Sequence, residues 1–74
     1  MLEKKIRRYK IMEAHMDLVR KGLYRQAQLV LRVLREGKVT LWLDDDSWEV
    51  ESLLEGLGCR IWYDSRGNRA VAHL

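Results

Sequence analysis

The 74-residue sequence predicts a two-layer sandwich of the α/β (α+β) class, in which a three-stranded mixed sheet packs on helices in the order α-α-β-α-β-β. Apolar residues recur every three or four positions through the first half of the chain, which is the period of a helix. From residue 38 the apolar residues alternate, as in a strand, and the helical period returns only once, between two alternating segments. Such a short chain forms one domain, residues 1–74, composed of a basic helical hairpin (1–37) and a β-α-β-β unit (38–74).

Two helices are predicted in the hairpin. The first helix ends or kinks at Gly22, and Ile11 and Leu18 form a second apolar stripe that is smaller than the main one. The main stripe consists of Leu2, Ile6, Tyr9, Met12, Met16 and Val19. The second helix, closed by Gly37, is apolar over so much of its surface that we expect it to pack on two sides, against the first helix and the sheet. Its apolar residues are Leu23, Ala27, Leu29, Val30, Leu31, Val33 and Leu34.

The β-α-β-β unit begins with the strand "KVTLWL", which is followed by an acidic turn. Asp46 and Glu49 have the spacing of a capping box, and Gly58 stands where a third helix should end. That helix is expected to bury Val50, Leu53, Leu54 and Leu57. A right-handed crossover makes the first two strands parallel, and a hairpin around Gly67 and Asn68 adds the last strand antiparallel.

Strand alternation divides the sheet into two faces. Val39, Leu41 and Leu43 point one way on the first strand, so Trp42 should point away from the helices. An even-length hairpin loop then gives an outer face of Thr40, Trp42, Arg60, Trp62, Val71 and His73. This face is too apolar to be left in water, which predicts a contact surface made by Trp42, Trp62, Val71 and His73. The alternative is that the first helix folds over this face and makes the tryptophans part of the core.

The charge of the chain is unevenly distributed. Residues 1–38 carry a net charge of +7 and residues 39–74 carry −4, which gives +3 in total. A basic half suggests an acidic partner such as nucleic acid, although the two halves can also neutralise each other. The candidate nucleic-acid-binding residues lie on the first two helices: Lys4, Lys5, Arg7, Arg8, Lys10, Arg20, Lys21 and Arg25. Many charges, no proline and few amides are also a weak sign of a thermophilic source.

The sequence contains no motif that indicates an enzyme. His15 lacks a second metal ligand at helical spacing, so we expect an ordinary surface or interhelix histidine. Asp44, Asp45 and Asp46 are expected to cap a helix rather than hold a metal ion, and Cys59 has no neighbouring base to activate it. We therefore expect no catalytic residues, no metal, no cofactor and no small-molecule substrate. One cysteine and no long apolar segment favour a soluble cytoplasmic protein without membrane contact.

Residues 24–74 resemble the TusA/SirA-like sulfur-relay family, whose outline is shared by the C-terminal domain of bacterial translation initiation factor three. The resemblance is carried by "LREGKVTLWLDDD", "LLEGLGCRIWY" and "GNRAVAHL". It implies the fold of that family. It does not imply sulfur transfer, because the family's first strand and its Cys-Pro motif are absent and "KGLYRQ" stands in their place.

These observations lead to two functional hypotheses. The first is a small non-catalytic interaction or regulatory protein that forms a homodimer through the Trp42/Trp62 sheet face. The second is a nucleic-acid-binding module that uses the basic helices. The third predicted helix argues against a winged-helix mode of DNA binding, because Glu49, Glu51 and Glu55 would be repelled by phosphates. Exposed tryptophans on a sheet could also stack on the bases of a single strand.

Overall fold

A computed structural model describes residues 2–42, 47–64, 66 and 68–74 of the chain. It contains three helices and a three-stranded sheet in the predicted order, with the sheet packed against helices, so the predicted class is confirmed. The elements are α1 (Leu2–Arg20), α2 (Tyr24–Glu36), β1 (Lys38–Trp42), α3 (Ser47–Gly56), β2 (Arg60–Asp64) and β3 (Arg69–His73). Leu43, the acidic turn at residues 44–46 and Gly67 of the hairpin loop lie outside the described residues, and so does the predicted capping box at Asp46.

The sheet is antiparallel rather than mixed, which corrects the predicted strand pairing. Its order is β1-β3-β2, and β3 runs antiparallel to both neighbours. β1 and β2 therefore point the same way, as predicted, but they do not touch, because β3 lies between them. The central position suits β3, whose inward residues Ala70 and Ala72 are fully buried. Small side chains at these positions let helices pack closely over the middle of the sheet.

Glycine ends two of the helices in the same way. Gly22 and Gly58 have φ angles of +79° and +97°, a conformation that costs other residues energy. After α1, the N–H groups of Gly22 and Leu23 donate to the carbonyls of Val19 and Leu18 at 3.0 and 2.9 Å. After α3, Gly58 and Cys59 repeat the pattern, with both N–H···O distances 3.0 Å. These are Schellman motifs in which each glycine occupies the C′ position. α1 therefore ends at Gly22 rather than kinking there, and Gly58 lies at its predicted position.

One hydrophobic core joins the helices to the inner face of the sheet. Among the described residues, α2 supplies Val30 and Val33, α3 supplies Val50 and Leu54, and β1 supplies Val39 and Leu41 to this core. Leu29, Leu31, Leu53, Leu57, Ile61 and Leu74 are partly buried around it. The predicted core face of α2 is thus correct except at Leu23, which is 42% exposed. Cys59 is buried in the same core.

α1 packs on α2 through the stripe that looked minor in the sequence. Ile11 is fully buried and Leu18 is 8% exposed. The longer stripe is exposed along its described side chains, which are Ile6, Tyr9, Met12, Met16 and Val19. At 100° per residue, the two stripes lie on opposite sides of the helix. The more apolar side of α1 therefore faces solvent rather than the core.

None of the described helices combines the length and the apolar character that crossing a membrane requires.

Candidate binding surface on the outer sheet face

The outer sheet face is the side of the sheet opposite the helices. α2 and α3 contact the sheet, whose inward residues Val39, Leu41 and Ala72 belong to the core. The outward positions on the three strands alternate with these residues. The outer sheet face consists of Lys38, Thr40, Trp42, Arg60, Trp62, Asp64, Arg69, Val71 and His73.

The two tryptophans of this face point away from the core, as predicted. Trp42 is 54% exposed and Trp62 is 65% exposed. α1 makes its main contacts with α2, so it does not cover these rings. The alternative in which the first helix buries the tryptophans is therefore wrong.

Strand register arranges the outer sheet face in three rows. The middle row is Thr40, Val71 and Trp62, which are directly opposite one another across the three strands. One end row contains Lys38, His73 and Arg60, and the other contains Trp42, Arg69 and Asp64. Directly paired side chains lie about 5 Å apart in such a sheet. The four predicted interface residues are thus brought onto one continuous surface.

Trp62 lies in the apolar middle row of this surface, on the edge strand β2. Val71, its cross-strand partner, is half-buried beside it. The His73 ring meets the Trp62 indole edge-on, with the ring centroids 6.0 Å apart and an interplanar angle of 65°. Aromatic pairs favour this edge-to-face geometry because the positive edge of one ring meets the negative face of the other. His73 therefore holds one side of the Trp62 ring in place, and the rest of that ring stays open.

Trp42 is held by a charged pair. The Arg69 guanidinium carbon lies 5.7 Å from the Trp42 ring centroid, within the range of a cation–π contact. The same guanidinium donates to Asp64 Oδ2 at 2.5 Å. The Arg66 N–H donates to Asp64 Oδ1 at 2.9 Å. The backbone hydrogen bond from Arg66, followed by the Arg69 contact, lowers the pKa of the Asp64 carboxyl below its usual range.

The outer sheet face is basic. Among the described residues of this face, Lys38, Arg60 and Arg69 oppose one acidic residue, Asp64, so their formal net charge is +2 when His73 is counted as neutral. The basic groups occupy the two end rows, and the apolar middle row lies between them. Lys38 and Arg69 were not among the predicted site residues. Extending the period-two alternation by one step from Thr40 and from Val71 would have identified both.

The predicted basic residues of the helices do not form part of this surface. Arg8 Nη2 donates to the Leu34 carbonyl at 3.2 Å, which ties α1 to the end of α2. The Arg7 side chain packs beside Gly58 after α3, and Lys21 forms a 3.0 Å ion pair with Asp17. Arg7, Arg8 and Lys21 therefore each have a contact within the fold. Lys4, Lys5, Lys10, Arg20 and Arg25 are exposed on the helices.

His15 and Cys59, two further candidate reactive groups, both contact other parts of the fold. His15 Nδ1 donates a 2.8 Å hydrogen bond to the Ala27 carbonyl, which makes His15 the expected interhelix histidine. Burial raises the pKa of the Cys59 thiol, and the Arg7 charge opposes this only in part, so the reactive thiolate is disfavoured. Within the described residues, no three potential ligands among His, Cys, Asp and Glu are grouped as a metal site would require.

Neither a family model nor a curated protein nor a solved structure matches this chain. The resemblance of residues 24–74 to the TusA/SirA-like family stays a sequence-based prediction.

Proposed function

We propose that the protein is a small non-catalytic module that binds single-stranded nucleic acid on its outer sheet face. The observation that carries this proposal is the combination of two tryptophans, each more than half exposed, with basic residues at both ends of the same face. Bases stack on aromatic rings whatever their sequence, because every base has a π-face. Lysine and arginine beside such rings supply the positive charge that the phosphates need.

The charge of the face supports a nucleic-acid strand over a second copy of the protein. A face with a net charge of +2 would be repelled by its own copy, whereas a phosphate backbone is attracted to it. A duplex is a poorer fit than a single strand, because its bases are paired and stacked and cannot reach the indole rings. The proposal therefore retains the nucleic-acid hypothesis but assigns binding to the sheet instead of the basic helices.

Self-association through the Trp42/Trp62 face is the second candidate. It is favoured by the arrangement of an apolar centre and a charged rim, which is also the anatomy of protein interfaces. A two-fold axis across the strands would bring Arg60 of one copy opposite Asp64 of the other. This pairing would offset part of the repulsion between the two basic faces.

Fluorescence anisotropy of labelled single-stranded oligonucleotides tests the proposal. Trp62→Ala and Trp42→Ala should each weaken binding by roughly fivefold to a hundredfold, the effect of losing about 1–3 kcal/mol of stacking. Trp48→Ala is the matched control, because Trp48 is 55% exposed but lies on α3. Equal loss in all three variants, or no binding by the wild-type protein, would contradict the proposal.

Salt dependence separates the two candidates. Contacts from Lys38 and Arg60 to two phosphates predict a log–log salt slope of about −1.4, taking about −0.7 per phosphate for single strands, because Arg69 is ion-paired with Asp64. Self-association through tryptophans should instead persist at high salt and be lost in Trp62→Lys. A molar mass that is halved by Trp62→Lys would favour the second candidate.

A further inference from the structure

The exposed stripe of α1 is a second apolar surface, independent of the outer sheet face. Its exposed fractions run from 39% at Val19 to 68% at Tyr9. We call the described side chains of this surface the α1 stripe, and they are Ile6, Tyr9, Met12, Met16 and Val19. A helix that is apolar on two opposite sides is typical of one that packs against neighbours on both sides. Within the described chain, α2 covers one of these sides.

From this surface we infer that α1 packs against α1 of a second copy, antiparallel and about a two-fold axis near Met12. The stripe extends over four helical turns with steps of three or four residues, the spacing of a helix–helix seam. Met12 is closest to its middle, so a two-fold axis there pairs Ile6 with Val19 and Tyr9 with Met16 of the other copy.

The charge distribution along α1 selects the second copy and the antiparallel direction. Residues 2–10 carry a net charge of +4, whereas residues 11–20 carry −1, because Glu13 and Asp17 outweigh Arg20. An antiparallel pair sets each strongly basic half against the slightly acidic half of its partner. A parallel pair would place the two basic halves, each with a net charge of +4, against each other. The antiparallel direction is therefore electrostatically favoured over the parallel one.

Grooves on both sides of the α1 stripe fit this arrangement. One open groove of about 330 Å³ lies between α1 and α2 and is lined by Lys5, Arg8, Tyr9, Met12 and Leu34. Another of about 480 Å³ lies on the opposite side of the stripe, between α1 and the end of α3, where Met16 and Leu57 contribute to its lining. A neighbouring helix could place its side chains in these grooves, as ridges fill grooves in helix packing.

The molar mass from light scattering on a sizing column tests this interface. The wild-type protein should elute as a dimer of twice 8.8 kDa, and the double variant Met12→Lys with Met16→Lys should elute as a monomer of 8.8 kDa. Both methionines are about half exposed, so the variant should fold, which its far-ultraviolet circular dichroism checks. Trp62→Lys is the matched control for an exposed apolar residue and should remain dimeric. A monomeric wild-type protein, or a double variant that stays dimeric, would overturn the inference.

Disulfide crosslinking tests the direction of the pair. Ile6→Cys and Val19→Cys proteins should form a covalent dimer when mixed and oxidised, because the antiparallel seam brings these two positions together. Neither variant should crosslink efficiently alone, and the native Cys59 does not interfere because it is buried. Efficient crosslinking of Ile6→Cys with itself would indicate a parallel pair and overturn the antiparallel assignment.

Discussion

The Tyr63 hydroxyl donates a 2.6 Å hydrogen bond to Oε1 of Glu51, which links β2 to α3. Tyr63 is on the inner face of the sheet by register, but β2 is an edge strand and the ring is 61% exposed. The hydrogen bond to Glu51 is the largest cause that raises the pKa of Tyr63, to about 12. Loss of the phenol proton would place a second negative charge against the carboxylate.

A high-pH titration followed by ultraviolet absorbance of the phenolate should reveal this tyrosine. One phenol should ionise near pH 12, and Tyr63→Phe should remove that step. The pKa in the folded state lies above the unfolded value of about 10. The contribution of this hydrogen bond to stability is therefore present below pH 10 and lost as the pH rises towards 12. Tyr24→Phe is the control, and a step near pH 12 that survives Tyr63→Phe would contradict the assignment.

Alanine substitutions at Gly56 and Gly58 should change the free energy of unfolding in opposite directions. Gly58→Ala should lower the free energy of unfolding by about 1–2 kcal/mol, the usual cost of a left-handed backbone for a residue with a Cβ. That Cβ would also lie 3.3 Å from Arg7 Nε. Gly56→Ala should instead raise the free energy of unfolding by about 0.5 kcal/mol, because Gly56 is helical and an added Cβ meets open space. Denaturant unfolding measures the change in the free energy of unfolding for both variants. Equal changes would contradict the Schellman motif at Gly58.

Substitutions at two neighbouring residues, Ile11 and Lys10, test which side of α1 is buried. Ile11→Ala should lower the free energy of unfolding by about 2–5 kcal/mol, because Ile11 is fully buried and leaves a cavity. Lys10→Ala, the exposed neighbour, should change it by less than about 0.5 kcal/mol. Denaturant unfolding at one protein concentration gives both values. A small effect of Ile11→Ala would mean that the longer stripe faces the core after all.

Asp64→Asn should strengthen nucleic-acid binding. The substitution removes the acidic residue of the outer sheet face and raises its net charge from +2 to +3. It also frees Arg69 from its ion pair. Anisotropy titrations should show a tighter complex with a steeper salt slope. Glu3→Gln, which removes an exposed negative charge on α1, is the matched control and should have a smaller effect. Weaker binding by Asp64→Asn would argue against phosphate contacts at this end of the face.

The alternation of apolar residues was sufficient to predict which way the tryptophans point. Val39 and Leu41 fix the inner face of β1, so Trp42 has to face outwards, and the even-length loop carries the same pattern into β3. Local glycine signals were sufficient for the helix ends at Gly22 and Gly58. Both features depend on neighbours in the sequence, where patterns are informative.

The strand order and the buried side of α1 depend on contacts between distant residues. β1 and β2 run in the same direction whether or not β3 lies between them, so the pattern alone could not distinguish a mixed sheet from an antiparallel one. α1 has apolar residues on opposite sides, and its longer stripe was not the one that faces α2. A free apolar stripe of this kind is what an interface outside the single chain would leave in the sequence.

The most direct measurement of the central claim follows the three tryptophan indole N–H signals by NMR while a single-stranded oligonucleotide is added to the protein. Binding on the outer sheet face predicts that the Trp42 and Trp62 signals shift, whereas the signal of Trp48, exposed on α3, stays in place. The claim would be contradicted if all three indole signals stayed in place. It would be equally contradicted if the shifts were confined to the backbone amides of α1 and α2.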